Sequence, residues 1–522
     1  MQPYDLIGLL VAGGFFAFWD AFGIGANDVA NSFANSVAAR TITLKQACII
    51  AVFTEFGGAV LMGAETTAAI KNSIIDIKLW QAVPEQLMFA FMCALVASSF
   101  WVITASRFGF PVSTTHSIVG AIAGAGIAKF GFSAINASEF WKIVLSWVVS
   151  PGVAGVLASI FYLITKFTVL KSPNSLQRGL ASIPLFFMFT LSICFFFVIN
   201  KAPKGIDLSK DANNTSENWT KVLLISLIGG GVVVGLFVWL FIVPYFRRLL
   251  VDEESLRWYH MLYIRCVPTQ PKIEDLEAWL EGHASKVKKD DAKYAEIETP
   301  VVANAEAFAV EDKPEAETKK SWLSMFTHGV NVDVVTVEGE FMENMHAKAE
   351  KHSSKTEYLF SYLQVATAAF ASFAHGSNDV ANASGPFSAM LTIYETAKIP
   401  GKNVPVPFWL LAAMGIAIDL GLVLYGYNIM KVLGNHITYQ SPSRGFTMEL
   451  GASFTVIVAS FLGLPVSTTH CITGSTVAVG MCNGELWSIN WRMVLWIIFS
   501  WVITLPITAT ISGLLFSFKY GW

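Results

Sequence analysis

The chain has 522 residues, of which 54% are hydrophobic and only 14% are charged, and its formal net charge is -3 at pH 7. This composition is too apolar for a soluble protein of such length, and no nucleic-acid partner is expected. The 6 cysteines show neither a disulfide framework nor the spacing of metal ligands. We therefore predict an all-α polytopic membrane protein that lies in a lipid bilayer and needs no cofactor.

Apolar runs of spanning length, or close to it, recur along the chain and predict about twelve transmembrane helices. Those of the first half lie at 5–24, 46–64, 87–105, 117–133, 143–165, 181–199 and 221–243. Those of the second half lie at 358–374, 407–428, 447–463, 471–482 and 493–517. We expect an N-terminal membrane half at 1–244 and a C-terminal membrane half at 357–522. The hydrophilic segment 245–356 between them mixes both charges without apolar periodicity, so it is predicted to be largely disordered.

Basic residues predict the orientation of the chain in the membrane. Arg247 and Arg248 directly follow a span, which places them and the segment 245–356 on the cytoplasmic side. The loop one helix earlier is then outside, and counting spans from it places both termini outside. This loop contains candidate N-glycosylation sites at Asn213, Asn214 and Asn218. These sites favour the plasma membrane as the location.

A polar sequence within apolar surroundings occurs twice: GANDVANSFANS at Gly25–Ser36 and GSNDVANASGP at Gly376–Pro386. Each aspartate would cost about 2.5 to 3.5 kcal/mol at the bilayer centre, so each is expected to face a cavity or a cation. Amide and carboxylate oxygens are hard ligands, and the neighbouring glycines allow each helix to break and expose carbonyl groups. The predicted cation-binding residues are Asn27, Asp28, Asn31, Asn378, Asp379 and Asn382, with sodium at Asp28 and Asp379.

A second sequence is also present twice, as FPVSTTH at Phe110–His116 and as LPVSTTH at Leu464–His470. Proline suits the first turn of a helix, and serine and threonine are good N-caps, so each copy predicts a helix start. In the middle of a membrane, free N–H groups, hydroxyl groups and the helix dipole suit a tetrahedral oxyanion such as phosphate or sulfate. The predicted phosphate-binding residues are Ser113, Thr114, Thr115, Ser467, Thr468 and Thr469.

Two sequences repeated in the same order indicate a duplicated half. An odd number of crossings, seven on this count, separates the two copies, so we predict inverted repeats and alternating access. Phosphate would add its negative charge to two aspartates in a cavity of low dielectric constant. Monovalent cations would remove this repulsion, so anion and cation would raise each other's affinity, as symport requires. Protons on the aspartates would serve the same purpose.

Other titratable residues also lie in apolar surroundings. Glu55 and Glu449 are not counterparts of each other, and at each we expect a cation ligand or a proton carrier. His375 precedes the second NDVAN sequence and is expected to modulate proton sensitivity near neutral pH. An intramembrane metal hydrolase using His116 and His470 with the aspartates is disfavoured, because these histidines are equivalent positions of two copies and no metal motif is present. We expect that the protein is not an enzyme.

The repeated sequences, together with SFAHGSNDVANASGP and QSPSRGFTMEL, resemble signatures of the inorganic phosphate transporter (PiT) family, most closely its fungal-type sodium/phosphate symporters. The resemblance implies a twelve-helix carrier of two inverted repeats that imports phosphate with sodium or, in some members, protons. It matches Glu55, Glu449 and His375 to positions that are important for transport. Sulfate as the substrate and a phosphate sensor remain alternatives. The sequence is compatible with a homodimer but does not determine the oligomeric state.

Overall fold

The computed structural model describes residues 6–201, 221, 223–282, 340–401, 406–434, 436–462, 464 and 466–521. The described chain is helical, and its only β-type pairings are isolated bridges. The central part of the segment predicted to be disordered, residues 283–339, lies outside the described residues. So do the three candidate glycosylation sites, Asn213, Asn214 and Asn218.

The helices follow one another in two groups. The first group consists of α1 (Ile7–Asn27), α2 (Val29–Ala38), α3 (Leu44–Ser73), α4 (Pro84–Arg107), α5 (Thr114–Phe130), α6 (Ala137–Thr165), α7 (Ser175–Lys201) and α8 (Leu223–Leu250). The second consists of α9 (Glu340–Ala347), α10 (Ser354–Thr396), α11 (Phe408–Tyr425), α12 (Tyr427–Leu433), α13 (Pro442–Phe461), α14 (Thr468–Met481) and α15 (Trp491–Tyr520). Helix α8 alternates between α-helical and π-helical turns.

Nine helical segments of the described chain are long and apolar enough to cross a membrane. They comprise α1 with α2, α3 to α8, α11 and α15. The three remaining predicted spans fall on α10, α13 and α14, which carry most of the polar residues of the second half. The described part of each of the twelve apolar runs therefore falls mainly on a helix, as the sequence predicts.

Equivalent helices of the two halves exchange their packing partners. Helix α1 packs against α4 and α11, and its counterpart α10 packs against α13 and α3. Helix α5 packs against α15, and its counterpart α14 packs against α6. The two copies therefore pack in a reciprocal way, and the starts of α5 and α14 are buried between the halves. The opposite orientation of the copies in a bilayer stays a prediction.

Glycines allow the central helices to cross at backbone contact. A Cβ atom on Gly25 of α1 would lie 1.8 Å from the carbonyl oxygen of Ile418 on α11. A Cβ atom on Gly421 of α11 would lie 1.9 Å from the carbonyl oxygen of Phe22 on α1. The equivalent glycines of the α3–α10 crossing are Gly58 and Gly376. Any side chain at these positions would push the helices apart.

The two NDVAN copies differ in their helices. In the first copy the helix is interrupted at Asp28, which lies between α1 and α2. In the second copy α10 runs unbroken from Ser354 to Thr396 and passes through Asp379. The predicted helix break is therefore wrong for the second copy. Gly376 serves close packing instead, because a Cβ atom there would lie 2.2 Å from the backbone oxygen of Glu55 on α3.

The end of the hydrophilic segment is ordered and docks on the C-terminal half. Arg444 of α13 is fully buried, and its guanidinium group donates to Asn483 Oδ1 at 2.8 Å and to the backbone carbonyl group of Glu350. The Glu350 carboxylate pairs at 2.6 Å with Lys166, the residue that directly follows α6. Partial burial alone would raise the pKa of Glu350, but the hydrogen bond and charge of Lys166 outweigh it and hold this pKa below its ordinary value. We call these residues, Lys166, Glu350, Arg444 and Asn483, the linker clamp.

The end of α8 and the start of α10 lie inside the predicted limits of the hydrophilic segment. Helix α8 continues to Leu250, past the predicted boundary at 244, and α10 begins at Ser354, before the predicted start of the C-terminal half at 357. These extensions contain the basic residues Arg247, Arg248 and Lys355. The predicted boundaries were set by the apolar runs, so they left these residues out.

The α1–α11 crossing can be tested with Gly25→Ala. In an ordinary helix interior this change stabilises by about 0.5 to 1 kcal/mol, but overpacking costs about 1 to 3 kcal/mol. We therefore expect Gly25→Ala to lower the thermal unfolding temperature of the purified protein in detergent. Gly152→Ala in α6 is the matched control, because a Cβ atom there meets no atom within 4 Å. Equal unfolding temperatures of the two variants would contradict the backbone contact.

Candidate functional site

The two STTH sequences begin helices α5 and α14, as predicted. The Ser113 hydroxyl oxygen caps α5 by accepting a hydrogen bond from the His116 backbone N–H at 3.2 Å. The Ser467 hydroxyl oxygen caps α14 in the same way, at 3.3 Å from the His470 nitrogen. Pro111 lies before the cap instead of in the first turn, so the predicted place of the proline is wrong in this copy. The serine cap, not the proline ring, starts the helix.

Asp28 joins the starts of both helices. Its Oδ2 accepts a hydrogen bond from the Thr114 hydroxyl group at 2.6 Å, and its Oδ1 accepts one from the Thr469 hydroxyl group at 2.9 Å. Thr114 belongs to the first half and Thr469 to the second. Asp28 is 1% exposed, so these bonds replace the water that a carboxylate otherwise requires.

Asp379 occupies the corresponding place in the second half. It accepts hydrogen bonds from the Thr468 hydroxyl group at 2.9 Å and from the Asn378 amide group at 2.8 Å. The Nε2 atom of His375 lies 2.8 Å from Asp379 Oδ2, close enough for an ion pair although it is not aligned for a hydrogen bond. Ligand atoms of Asp28, His375 and Asp379 all lie within 4.8 Å of one another. The structure thus assembles the two predicted aspartates into one buried site.

Two asparagines extend the site. The side-chain amide nitrogen of Asn31 donates to the Thr469 hydroxyl oxygen at 2.8 Å. The side-chain oxygen of Asn31, Oδ1, is buried without a hydrogen-bond partner. The equivalent Asn382 donates to the hydroxyl oxygens of Thr114 and Thr115 at 3.2 and 3.4 Å. An unpartnered amide oxygen beside a carboxylate is a ligand of the kind that hard cations take.

Asn27 and Asn378 hold the loops that lead into α5 and α14. The partners of Asn27 are Ser106 Oγ at 3.0 Å, the Phe110 carbonyl oxygen at 3.0 Å and the Val112 N–H at 3.1 Å. The partners of Asn378 include the Val466 carbonyl oxygen at 2.9 Å and Ser460 Oγ at 3.2 Å. In this structure both amide groups brace the backbone, and their role as cation ligands stays a prediction.

Glu55 reaches the site through His375. This fully buried carboxylate is bonded by the Ser372 hydroxyl group at 2.8 Å and lies 2.8 Å from His375 Nδ1. Since His375 Nε2 faces Asp379, the imidazole ring lies between two acids from different helices. A proton on His375 would place a positive charge between them.

Glu449 lies in a separate cluster. It accepts hydrogen bonds from the Ser36 hydroxyl group of α2 at 2.6 Å and from the Thr367 hydroxyl group of α10 at 2.7 Å, and Gln364 approaches at 3.4 Å. It is fully buried, but it does not belong to the group formed by Asp28, His375 and Asp379. Glu449 therefore links α2 and α10 at a distance from the central acids.

The site is closed to an ion as large as phosphate. The cavity beside it, lined among others by Asn31, His375 and Thr468, has a volume of about 20 Å³, which is room for about one water molecule. Among the lysines and arginines whose side chains are described, only Lys166 and Arg444 are buried, and both belong to the linker clamp. Anion binding thus requires helices to move apart, and none of the described lysine and arginine side chains is buried at the site to offset the charge of an anion.

His116 and His470 form a column of four aromatic rings with two tryptophans. The ring centroids are 3.7 Å apart for Trp147 and His116, 4.6 Å for the two histidines and 3.8 Å for His470 and Trp501. Neither histidine joins the ligand group of the central acids. The described residues therefore do not bring His116 and His470 together with Asp28 and Asp379, as the hydrolase alternative requires.

Sequence reasoning missed two buried acids, Asp20 on α1 and Asp419 on α11, which are 1% and 7% exposed. Each is a single acid within an apolar run, FWDAFG and IAIDLGL, which is the same signal that identified Glu55. It also missed the hydroxyl partners Ser372 and Thr367. Hydroxyl groups are common in membrane helices and give no comparable signal.

Comparison with known proteins extends over both membrane halves. A model of the phosphate transporter family matches residues 24–512. The phosphate-repressible phosphate permease pho-4 of Neurospora crassa is 37% identical, over 97% of this chain and 96% of that protein. The sodium-dependent phosphate transporter 1 of Rattus norvegicus is 29% identical, over 98% of this chain and 95% of that protein. A solved structure described as the sodium-dependent phosphate transporter has 28% identity and a TM-score of 0.68, and covers 98% of this chain and 99% of that one.

The bracing role of Asn27 can be tested with Asn27→Ala. This change leaves the Val112 N–H and two acceptors without their partner, and each unsatisfied buried group costs about 1 to 3 kcal/mol. We expect a lower thermal unfolding temperature in detergent. Asn35→Ala is the control, because Asn35 is equally buried but its amide group contacts only the Met448 sulfur, at 3.6 Å. If both variants unfold at the same temperature, Asn27 does not brace the loop.

Proposed function

Since this chain belongs to the phosphate transporter family, we propose that it imports inorganic phosphate together with sodium by alternating access between its two halves. The protein is a multi-pass membrane transporter and not an enzyme. The relatives whose names state sodium dependence support the coupling ion. The substrate is supported by the family and by the helix starts at the centre of the molecule.

The observation that carries this proposal is the sharing of threonine hydroxyl groups. The hydroxyl groups of Thr114, Thr468 and Thr469, predicted to bind phosphate, donate to the aspartates predicted to bind cations. A hydroxyl group has one proton to donate, so it cannot serve a carboxylate and a phosphate oxygen together. A sodium ion at the aspartates replaces the hydroxyl donors and frees them for phosphate. Cation binding thereby prepares the anion site.

Charge supports the same order of binding. Two like charges 4 Å apart repel by about 4 kcal/mol at an effective dielectric constant of about 20. Two carboxylates and a phosphate ion in one buried site would add several such repulsions, and the described residues supply no lysine or arginine there. Sodium ions at Asp28 and Asp379 remove this cost, and phosphate in turn holds the sodium ions. This reciprocal coupling is what symport requires.

In this proposal the transported ions pass the linker clamp on their way to the cytoplasm. The clamp joins the segment before α10 to α6 and α13, and Lys166 also donates to the Cys482 carbonyl oxygen at the end of α14 at 2.8 Å. Since α14 begins at the site, movement of this helix toward an inward-open state has to strain or release the clamp. Arg247 and Arg248 support a cytoplasmic position of the clamp and segment 245–356, with both termini outside. We place the protein in the plasma membrane.

Proton-coupled transport is the second candidate. It is favoured by the position of His375, which lies 2.8 Å from both Glu55 and Asp379. A proton on this ring would neutralise part of the charge of the two acids without any metal ion. The fold and the phosphate site would be the same.

Uptake of radiolabelled phosphate by proteoliposomes tests the proposal. We expect an inward sodium gradient to drive accumulation, and an inward proton gradient at matched voltage to drive little. Asp28→Asn should abolish sodium-driven uptake, because the cation loses a charged ligand that binds both helix starts. Asp252→Asn, a change at an exposed residue next to α8, is the control and should transport normally.

The outcomes of this experiment are distinct. Accumulation driven only by protons would replace sodium with protons as the coupling ion. Normal sodium-driven uptake by Asp28→Asn would refute the role of the shared carboxylate. Absence of accumulation under both gradients would refute phosphate symport.

Hydroxyl sharing makes a separate prediction for Thr114→Val. Phosphate loses a donor, so its KM should rise about tenfold or more, since a hydrogen bond to a charged group is worth about 1.5 to 3 kcal/mol. Stabilisation of the purified protein by sodium alone should persist, because Asp28 keeps its charge and loses a competing partner. Thr455→Val is the control, because this buried threonine bonds only the Gly451 carbonyl oxygen of its own helix. Loss of the sodium effect in Thr114→Val would contradict the exchange of partners.

A further inference from the structure

A buried acid outside the site has no role in the proposed cycle. Asp20 of α1 is 1% exposed, and neither of its carboxylate oxygens has a hydrogen-bond partner. The side chain that interacts with it is Ser98 of α4, whose hydroxyl group is fully buried and also lacks a well-aligned partner. Two adjoining polar groups are thus left unsatisfied in an apolar interface.

An ionised carboxylate in such surroundings is very unfavourable, so Asp20 must hold a cation or a proton in this conformation. Sodium is a hard cation, and hard cations of similar size take about six or more oxygen ligands. Asp20 and Ser98 offer three oxygens, and the nearby side chains of Phe22 and Trp19 offer no oxygen. The chemistry of the site therefore fits a proton.

The position of Asp20 connects it with the cation region. It lies eight residues before Asp28 on the same helix (28 - 20 = 8), which corresponds to about 12 Å along the axis. It is on the side of the N-terminal end of α1, which the proposed topology places outside. Water that enters from this side between α1 and α4 would reach Asp20 before it reaches Asp28.

No charged neighbour takes over this role. The titratable groups of the helices packed against α1 are Glu85, Cys93 and Arg107 of α4, Asp419 and Tyr425 of α11, Lys431 and Tyr427 of α12, and those of α10, which include His375 and Asp379. None of them forms a hydrogen bond with Asp20, because neither of its carboxylate oxygens has a partner in the described chain. Protonation of Asp20 is therefore governed by whether water reaches it.

We propose that Asp20 is a proton-binding site that controls closure of the outer side: the carboxyl group is neutral when α1 and α4 are closed and ionises when water enters between them. Closure then requires a proton from the outer solution. This inference deepens the proposed function and rests on it, because it concerns the outward-facing step of the same cycle. In this cycle sodium still binds at Asp28 and Asp379, and phosphate still binds at the starts of α5 and α14.

Sodium-driven uptake as a function of external pH tests the proposal. We expect wild-type uptake to fall as external pH rises from about 5.5 to about 8, because ionised Asp20 holds the outer side open. In Asp20→Asn the side chain is always neutral, so the decrease in uptake that is due to ionisation of Asp20 should be absent. In Asp20→Glu the decrease should remain, with its midpoint at a different external pH. Glu85→Gln, at the start of α4, is the control for an acid on the facing helix. All variants meet the same phosphate species at each pH, so differences between them come from the protein.

Infrared difference spectroscopy of the purified protein gives a second measurement that does not depend on transport. A carbonyl stretching band of a protonated buried carboxyl group should be present in the wild type, absent in Asp20→Asn and displaced in Ser98→Ala. Asp20→Asn with an unchanged pH profile, or an unchanged band, overturns the proton site. Failure of the wild type to import phosphate under any gradient would refute the proposed function instead, and the infrared band would still decide the state of Asp20. Ser98→Ala keeps the test open if Asp20→Asn does not fold.

Discussion

The two hydrogen bonds from Thr114 and Thr469 to Asp28 are the contact on which the rest of the structure depends. A carboxylate deep in an apolar protein needs donors, and here the donors come from the first residues of two helices in different halves. This single side chain therefore joins the two halves at the site. In the proposed cycle the same hydroxyl groups bind the incoming phosphate, so the contact that closes the molecule is also the one that phosphate replaces.

Duplication explains the shape of the site but not its chemistry. Helices α5 and α14, their serine caps and their histidines are nearly equivalent, and so are the glycine contacts that let α1 cross α11 and α10 cross α3. The acids differ. Glu55 contacts His375 beside the site, whereas Glu449 contacts Ser36 and Thr367 elsewhere. The packing is therefore common to the two halves, whereas the surroundings of Glu55 and Glu449 are not.

Several features could be predicted because they depend on local sequence. The apolar runs fix the helices, and Ser113 and Ser467 cap α5 and α14 because an N-cap acts on its own first turn. The repeated aspartates identify the site because burying an acid in a membrane is costly wherever it occurs. Asp20 and Asp419 carry the same local signal and were overlooked without repetition to draw attention to them. The break expected at Gly376 was wrong because this glycine serves a contact with α3, which the local sequence does not show.

The sequence by itself determined that the chain is a helical membrane protein, that its polar site was duplicated and that phosphate and a cation are its ligands by resemblance. Only the tertiary structure decided which groups meet: Asp28 with threonines of both halves, His375 between Glu55 and Asp379, and Asn27 with the loop before α5. Local patterns report the cost of burying each group. The partner that offsets this cost comes from residues far away in the chain, and only packing brings them together.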